Sequence, residues 1–128
     1  MSVTNVWDAL TEFKNVVKRT KSIQNELEKW GDHVIQFIVK GGEDCNIMVR
    51  NGQIILEKGK KDNPDLTFTA LDGHLVKLIT GQEDYTSLDI LGNITFQGNE
   101  ADKHKFIGIL GLFVDAILGE TEGFDEFE

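Results

Sequence analysis

The 128-residue chain has one cysteine, Cys45, so it can form neither an intramolecular disulfide nor a cysteine-based zinc site. No apolar run approaches the ~18 residues of a membrane-spanning helix, and the start does not join a basic stretch to a continuous apolar one. A signal peptide and a membrane span are therefore not expected, and the expected location is cytoplasmic. Cations are in deficit as well: 13 Lys+Arg stand against 22 Asp+Glu, a net charge of -9. That balance repels phosphate backbones and anionic lipid surfaces, so no nucleic-acid partner is expected. Membrane contact would be transient, local and salt-sensitive, through the Lys14, Lys18, Arg19, Lys21 cluster, which otherwise solvates one helix face.

The vocabulary of catalysis is thin too. Ser2, Ser22 and Ser87 are the only serines and none lies in Gly-x-Ser-x-Gly, so a nucleophile elbow is missing. Gly41-Gly42 precedes a strand pattern and not a helix, which removes a phosphate-cradling loop. His33, His74 and His104 lack the spacing of a helical ligand pair and read as surface histidines. Glu43-Asp44 and Glu83-Asp84 fall in expected turns, where solvated charge accounts for them. Cys45 sits on an apolar strand face as a small buried thiol. No catalysis, metal or cofactor is expected.

What is present describes a globular domain: 40% of residues are hydrophobic and 27% charged, in one domain's length. At this size roughly two thirds of the unfolded chain's surface can be buried. Residues 1–31 carry two helical segments, the first with Val3, Val6, Leu10, Phe13 and Val17 in one stripe and Thr4 as its cap, the second with Ile23, Leu27 and Trp30 and a stop at Gly31. From Val34 the period changes to two, and Asn51-Gly52 predicts a hairpin turn between Cys45–Arg50 and Gln53–Lys58. A fourth strand covers Leu66 to Ala70. Asp72 is expected to cap a helix ended by Gly81, Tyr85 to Leu91 forms a short helix ended by Gly92, and a strand follows over Asn93 to Gln97. Asn99 caps a last helix to about Leu118. Residues 1–118 thus form one α+β domain, and residues 119–128, with five acidic side chains, form a flexible acidic tail.

The last helix carries more apolar surface than a sheet-packed helix needs. With Phe106 at 0° and about 100° per residue, Leu110, Phe113 and Ile117 lie within about 40° of it. Ile107, Val114 and Leu118 extend the arc on one side, and Ile109, Ala116 and Leu112 on the other, to roughly 240°. Three explanations fit: burial against the N-terminal helices as well as the sheet, an apolar internal cavity, or an apolar oligomer surface.

The stretch from Val34 to about Ile117 resembles the sterol carrier protein type two family. The resemblance rests on VIQFIVKGG, NIMVRNGQIILEKG, PDLTFTA, LVKLITGQ and LDILGNITFQGNEADKHKFIGIL in that order, with Gly92-Asn93-Ile94-Thr95-Phe96-Gln97-Gly98 the closest match. Gln82 stands where that family commonly has lysine, and there is no peroxisomal Ser-Lys-Leu-type address. The resemblance implies a five-stranded sheet, expected to be mostly antiparallel, with helices on one face enclosing an apolar tunnel. The implied function is non-catalytic carriage of fatty acyl chains, sterol-like or isoprenoid molecules. Strand parity and helix phase nominate Phe37, Ile47, Phe68, Leu78, Leu91, Phe96, Phe106, Leu110 and Phe113 as lining residues, each of which would otherwise be core. The alternative is a protein interaction module with a filled core, such as a homodimer.

Overall fold

The computed structural model describes the backbone of residues 3–122 and side chains through residue 119. Two helices come first, α1 (Val6–Lys18) and α2 (Lys21–Trp30). Val6, Leu10, Phe13 and Val17 form the buried stripe of α1. Its cap is Asn5, not Thr4: the Asn5 side-chain oxygen accepts the Asp8 backbone N–H at 2.8 Å, while the Thr4 hydroxyl donates to the Asp8 carboxylate. Gly31, at φ +94°, ends α2 in a conformation that L side chains rarely adopt.

Five strands follow in one sheet: β1 (His33–Lys40), β2 (Cys45–Arg50), β3 (Gln53–Lys58), β4 (Leu66–Leu71) and, after two helices, β5 (Ile94–Gly98). Asn51 and Gly52 take φ of +52° and +77°, the turn their sequence calls for, and set β2 against β3 with Arg50 opposite Gln53. The spatial order is β3-β2-β1-β4-β5. The sheet is mixed rather than mostly antiparallel, because its central pair β1 and β4 is parallel, with Phe37 beside Phe68. The polar stretch 59–65 makes this possible by carrying the chain back past β2 and β1. Its path is held by buried Gln36, whose Nε2 donates to the carbonyls of Cys45 and Gly59 and whose Oε1 accepts the Lys61 N–H. Asp65 then brackets Val34, donating its N–H to the Val34 carbonyl and accepting the Val34 N–H on its carboxylate.

Between β4 and β5 lie α3 (Asp72–Ile79) and α4 (Tyr85–Ile90), and the chain closes with α5 (Glu100–Glu122). Asp72 does not cap α3. It is the first residue of that helix, and its Oδ1 accepts the Val6 N–H at 2.9 Å, so the unpaired donor at the start of α1 claims the carboxylate. Asn99 does cap α5, accepting the Asp102 N–H at 2.9 Å. The helix continues through Gly119 to Glu122, so the first four residues of the expected tail are helical; Gly119 is not among the glycines with positive φ, and nothing there breaks the ladder. The rest of that tail lies outside the described residues.

One sheet face carries Ile35, Phe37, Ile47, Val49, Leu66 and Phe68, all buried beneath the helices. Phe37, Phe68 and Phe106 meet at ring-centroid distances of 5.8 to 6.3 Å, and Phe13 meets Phe113 edge-on at 5.3 Å. These contacts lock α5 to the sheet and α1 to α5 at the separations aromatic pairs prefer.

Candidate functional site

α5 presents three sectors to its surroundings. Its central stripe, Phe106, Leu110 and Phe113, is buried in the core. One flank, Ile107, Gly111 and Val114 with the edge of Leu110, faces Leu78 and the segment Gly81 to Tyr85 across a cavity of about 150 Å³. The other flank, Ile109 and Leu112 with Gly108, faces Ser22 and Glu26 of α2 across a wider groove of about 420 Å³. The wide apolar arc therefore has two causes: burial against α1 and α2 as well as the sheet, and two recesses alongside, one also lined by Glu26, His104 and Lys105 and the other by Glu83 and Asp84.

The two recesses differ in character. The α2–α5 groove is bridged by an ion pair, with Lys105 Nζ donating to Glu26 Oε1 at 2.5 Å, and this bond holds the Glu26 carboxyl below the usual carboxylate range. The α3–α5 cavity has an apolar wall set by a close approach. Gly81 ends α3 at φ +78°, and a Cβ placed there would stand 2.7 Å from Val114 Cγ2, so only glycine lets α5 come this near. A Cβ at Gly111 would meet nothing within 4 Å, which marks the open side of the same wall.

Lys103 stands one helical turn before Ile107. Its side chain is 10% exposed, with Nζ 4.4 Å from the centre of the Tyr85 ring and 5.3 Å from that of Phe96, and it pairs with Glu100 at 2.7 Å. Glu100's hydrogen bond raises the Lys103 ammonium above its usual range, against the opposing effect of burial. Sequence reasoning passed over this lysine because the arc was drawn from apolar residues alone; by the same helical stepping it falls about 60° from Phe106, inside the Ile107 flank.

Of the nine residues nominated as lining, Leu78 and Leu110 stand in the wall of the α3–α5 cavity. Phe37, Ile47, Phe68, Phe106 and Phe113 pack in the core, and Phe96 is partly buried at 5.2 Å from Phe68. Leu91 is 67% exposed beside Ile90 at 77%, at the end of α4. His33 is not a surface histidine: its ring stacks on Trp30 at 3.9 Å, and its Nε2 lies 3.5 Å from the Asp102 carboxylate, which also accepts the Trp30 indole N–H at 3.0 Å. This cluster ties α2 and β1 to the start of α5. Burial, helped by Asp44 and Glu43, pushes the Cys45 thiol up to about 12, so it stays protonated near neutrality. Among the described residues no group of three or more His, Cys, Asp or Glu is placed to hold a metal ion, and no helix is long and apolar enough to cross a membrane.

Residues 13–111, which supply β1 to β5 and most of the cavity wall, match the model of the SCP-2 sterol transfer family. The chain belongs to that family. Its fold is similar to the sterol carrier protein domain 2 of Helicoverpa armigera, with 20% identity, 84% of this chain and 85% of that one covered, and a TM-score of 0.67. It is also similar to a UbiJ-SCP2 ubiquinone synthesis protein, at 20% identity over 79% of this SCP-2 chain and 84% of the other, with a TM-score of 0.65. A third likeness is to the inverting sec-alkylsulfatase Pisa1 from Pseudomonas sp., at 16% identity and a TM-score of 0.60; 67% of this chain is covered, and it spans 14% of that enzyme. At these identities the three likenesses concern the fold. No curated protein matches this SCP-2 chain by sequence.

Proposed function

We propose that this SCP-2 domain carries lipids without chemistry, taking an apolar segment of a fatty acyl, sterol-like or isoprenoid molecule into the cavity between α5 and the end of α3. The observation that carries this reading is the flank of α5: Ile107 and Val114 leave the core stripe and face a space of about 150 Å³ whose lining is mainly apolar, with Glu83 and Asp84 the charged residues in it. A recess of this volume has room for about six carbons of an apolar chain. At ~0.8 kcal/mol per buried methylene, six fully buried carbons supply at most about 5 kcal/mol, before the cost of immobilising the ligand. Tighter binding of a longer chain requires the α5 flank to part further from Gly81 to Tyr85, exposing more of the same apolar surface to the ligand.

The test is titration of folded protein with fluorescent acyl, sterol and isoprenoid probes, beside native mass spectrometry for a co-purified molecule. Saturable binding at one or two sites per chain is expected; no saturable binding by any class, with the fold intact, overturns the carrier reading. The rival, a protein interaction or dimerisation module, draws on the filled aromatic core and on the exposed neighbours Ile90 and Leu91. Sedimentation with and without lipid separates the two, since the rival requires self-association that is independent of ligand.

A further inference from the structure

A recess of about 120 Å³ lies where β1 and β4 end and α3 begins, away from α5. Strand parity sets most of its wall. Lys40, Thr69, Leu71 and Thr95 share the sheet face opposite Phe37 and Phe68, with Lys40 beside Leu71 and Thr69 beside Thr95 in the register. His74, from the first turn of α3, and Asn93, from the loop before β5, complete it. Both recesses beside α5 include carboxylates; this one includes none, although the chain carries a net charge of -9. Its polar side chains are also uncommitted. Thr11, Thr20 and Thr80 give their hydroxyls to helix carbonyls, and Asn5 and Asn99 cap helices. By contrast, Lys40, Thr69, Thr95, Asn93 and His74 make no side-chain hydrogen bond or ion pair among the described residues. His74 Nδ1 is shut off from solvent as well, and a buried ring nitrogen left unpaired costs free energy. No side chain caps α3, so the backbone N–H groups of its first turn keep the partial positive charge of a helix start. Asp72, the first residue of α3, is engaged by the Val6 N–H and does not line the recess.

We propose that this recess is a binding site for one phosphate-class oxyanion, supplied as free phosphate or as the phosphate of a lipid head group. It lies outside the cavity beside α5 and does not depend on the carrier reading. A volume of about 120 Å³ is the share of about four waters, and a tetrahedral group with four oxygens fills it. Lys40 supplies the charge as a point cation, while the Thr69 and Thr95 hydroxyls and the Asn93 amide donate to separate oxygens. His74 donates from Nδ1 after a half-turn of its ring, which breaks no hydrogen bond because the ring makes none. A planar carboxylate presents two oxygens and leaves most of these donors unused, so the arrangement favours a tetrahedral anion. Leu71, 53% exposed on the rim, offers apolar contact to a lipid carrying the head group and nothing to free phosphate. If the polar side chains only solvated this end of the sheet, they would favour no anion over chloride.

The experiment follows the backbone amide resonances of the full chain at neutral pH and fixed ionic strength as chloride is replaced by inorganic phosphate. The proteins are the wild type, Lys40→Met, Thr69→Val and, as a control at an exposed lysine of α1, Lys18→Met. Saturable shifts centred on Lys40, His74 and Gly92 to Thr95 are expected, and acetate at the same ionic strength should not reproduce them. Lys40→Met should weaken the site about fivefold or more, the worth of one partly exposed charge-assisted hydrogen bond. Thr69→Val keeps the shape, suits a strand and should weaken it about twofold to threefold. Lys18→Met should change nothing. Shifts that do not saturate, shifts that acetate matches, or an equal loss in Lys18→Met and Lys40→Met overturn the inference and leave only general charge screening. Sedimentation with phosphatidylcholine vesicles, with and without phosphatidate, then separates the sources. Binding that needs both phosphatidate and Lys40 places the phosphate on a lipid, and phosphate binding without vesicle binding makes it a soluble group. Acyl-probe affinity of Lys40→Met should equal that of the wild type, so this inference and the carrier reading fail separately.

Discussion

Two glycines in the body of α5 allow stability and binding to be moved in opposite directions. Glycine inside a helix costs ~1 kcal/mol relative to alanine, and leucine is nearly as good a helix former as alanine. At both Gly108 and Gly111 an added Cβ meets nothing within 4 Å, and neither has positive φ, so a side chain fits without strain. They differ in what they border: Gly111 lies in the wall of the α3–α5 cavity and Gly108 in the α2–α5 groove. Gly111→Leu is therefore expected to raise stability by about 1 kcal/mol, since helix propensity improves and the new side chain has room. It should weaken acyl-probe binding more than tenfold, because displacing even two methylenes from the cavity forfeits about 1.6 kcal/mol. Gly108→Leu should give the same stability gain and leave the affinity within about twofold. Urea denaturation and fluorescence titration on the same preparations measure both quantities. A Gly111→Leu protein that is more stable and binds as tightly as the wild type places the ligand elsewhere; one that is destabilised shows that the space beside α5 is not free.

Phe113→Ala should cost on the order of 3 to 5 kcal/mol in denaturant unfolding, because the ring is fully buried against Phe13 and the neighbouring helices leave a cavity when it goes. Cys45, whose thiol is held at about 12 by burial, should resist alkylation at neutral pH in the folded protein and react on unfolding; rapid labelling of the native state contradicts its placement. The Glu26 carboxyl is depressed first by its hydrogen bond from Lys105, so the charged form is favoured in the folded state, and the resulting stability is present above the ordinary carboxylate range. It is lost as pH falls through the lowered value, so Glu26→Gln should be less stable than wild type near neutrality, with the difference vanishing on acidification. A difference that persists in acid would assign the effect to packing.

The local structure of this chain was legible because it depends on neighbours in sequence. Alternation over Val34 to Val39, the Asn51-Gly52 turn and the glycines after α2, α3 and α4 act within a few residues. Each element lies within a few residues of where its pattern puts it, the caps of α1 and α3 and the end of α5 being the differences. Family membership was legible for the same reason, as an ordered series of such local patterns spanning most of residues 13–111. The parallel pairing of β1 with β4 was not legible, since consecutive strands most simply form hairpins and the deciding contacts join Gln36 to Gly59 and Lys61, more than twenty residues away. Asp72 went to the start of α1 rather than to its own helix for a like reason: Val6 lies 66 residues off. The apolar excess of α5 could be computed from phase alone, but phase does not say what lies opposite. Only the close approach of Val114 to Gly81, and of Lys103 to the Tyr85 and Phe96 rings, distinguishes a flank that borders a cavity from a stripe that fills the core. Those distances are set by how α3, α4 and β5 dock against the last helix, and docking between segments remote in sequence belongs to the tertiary structure.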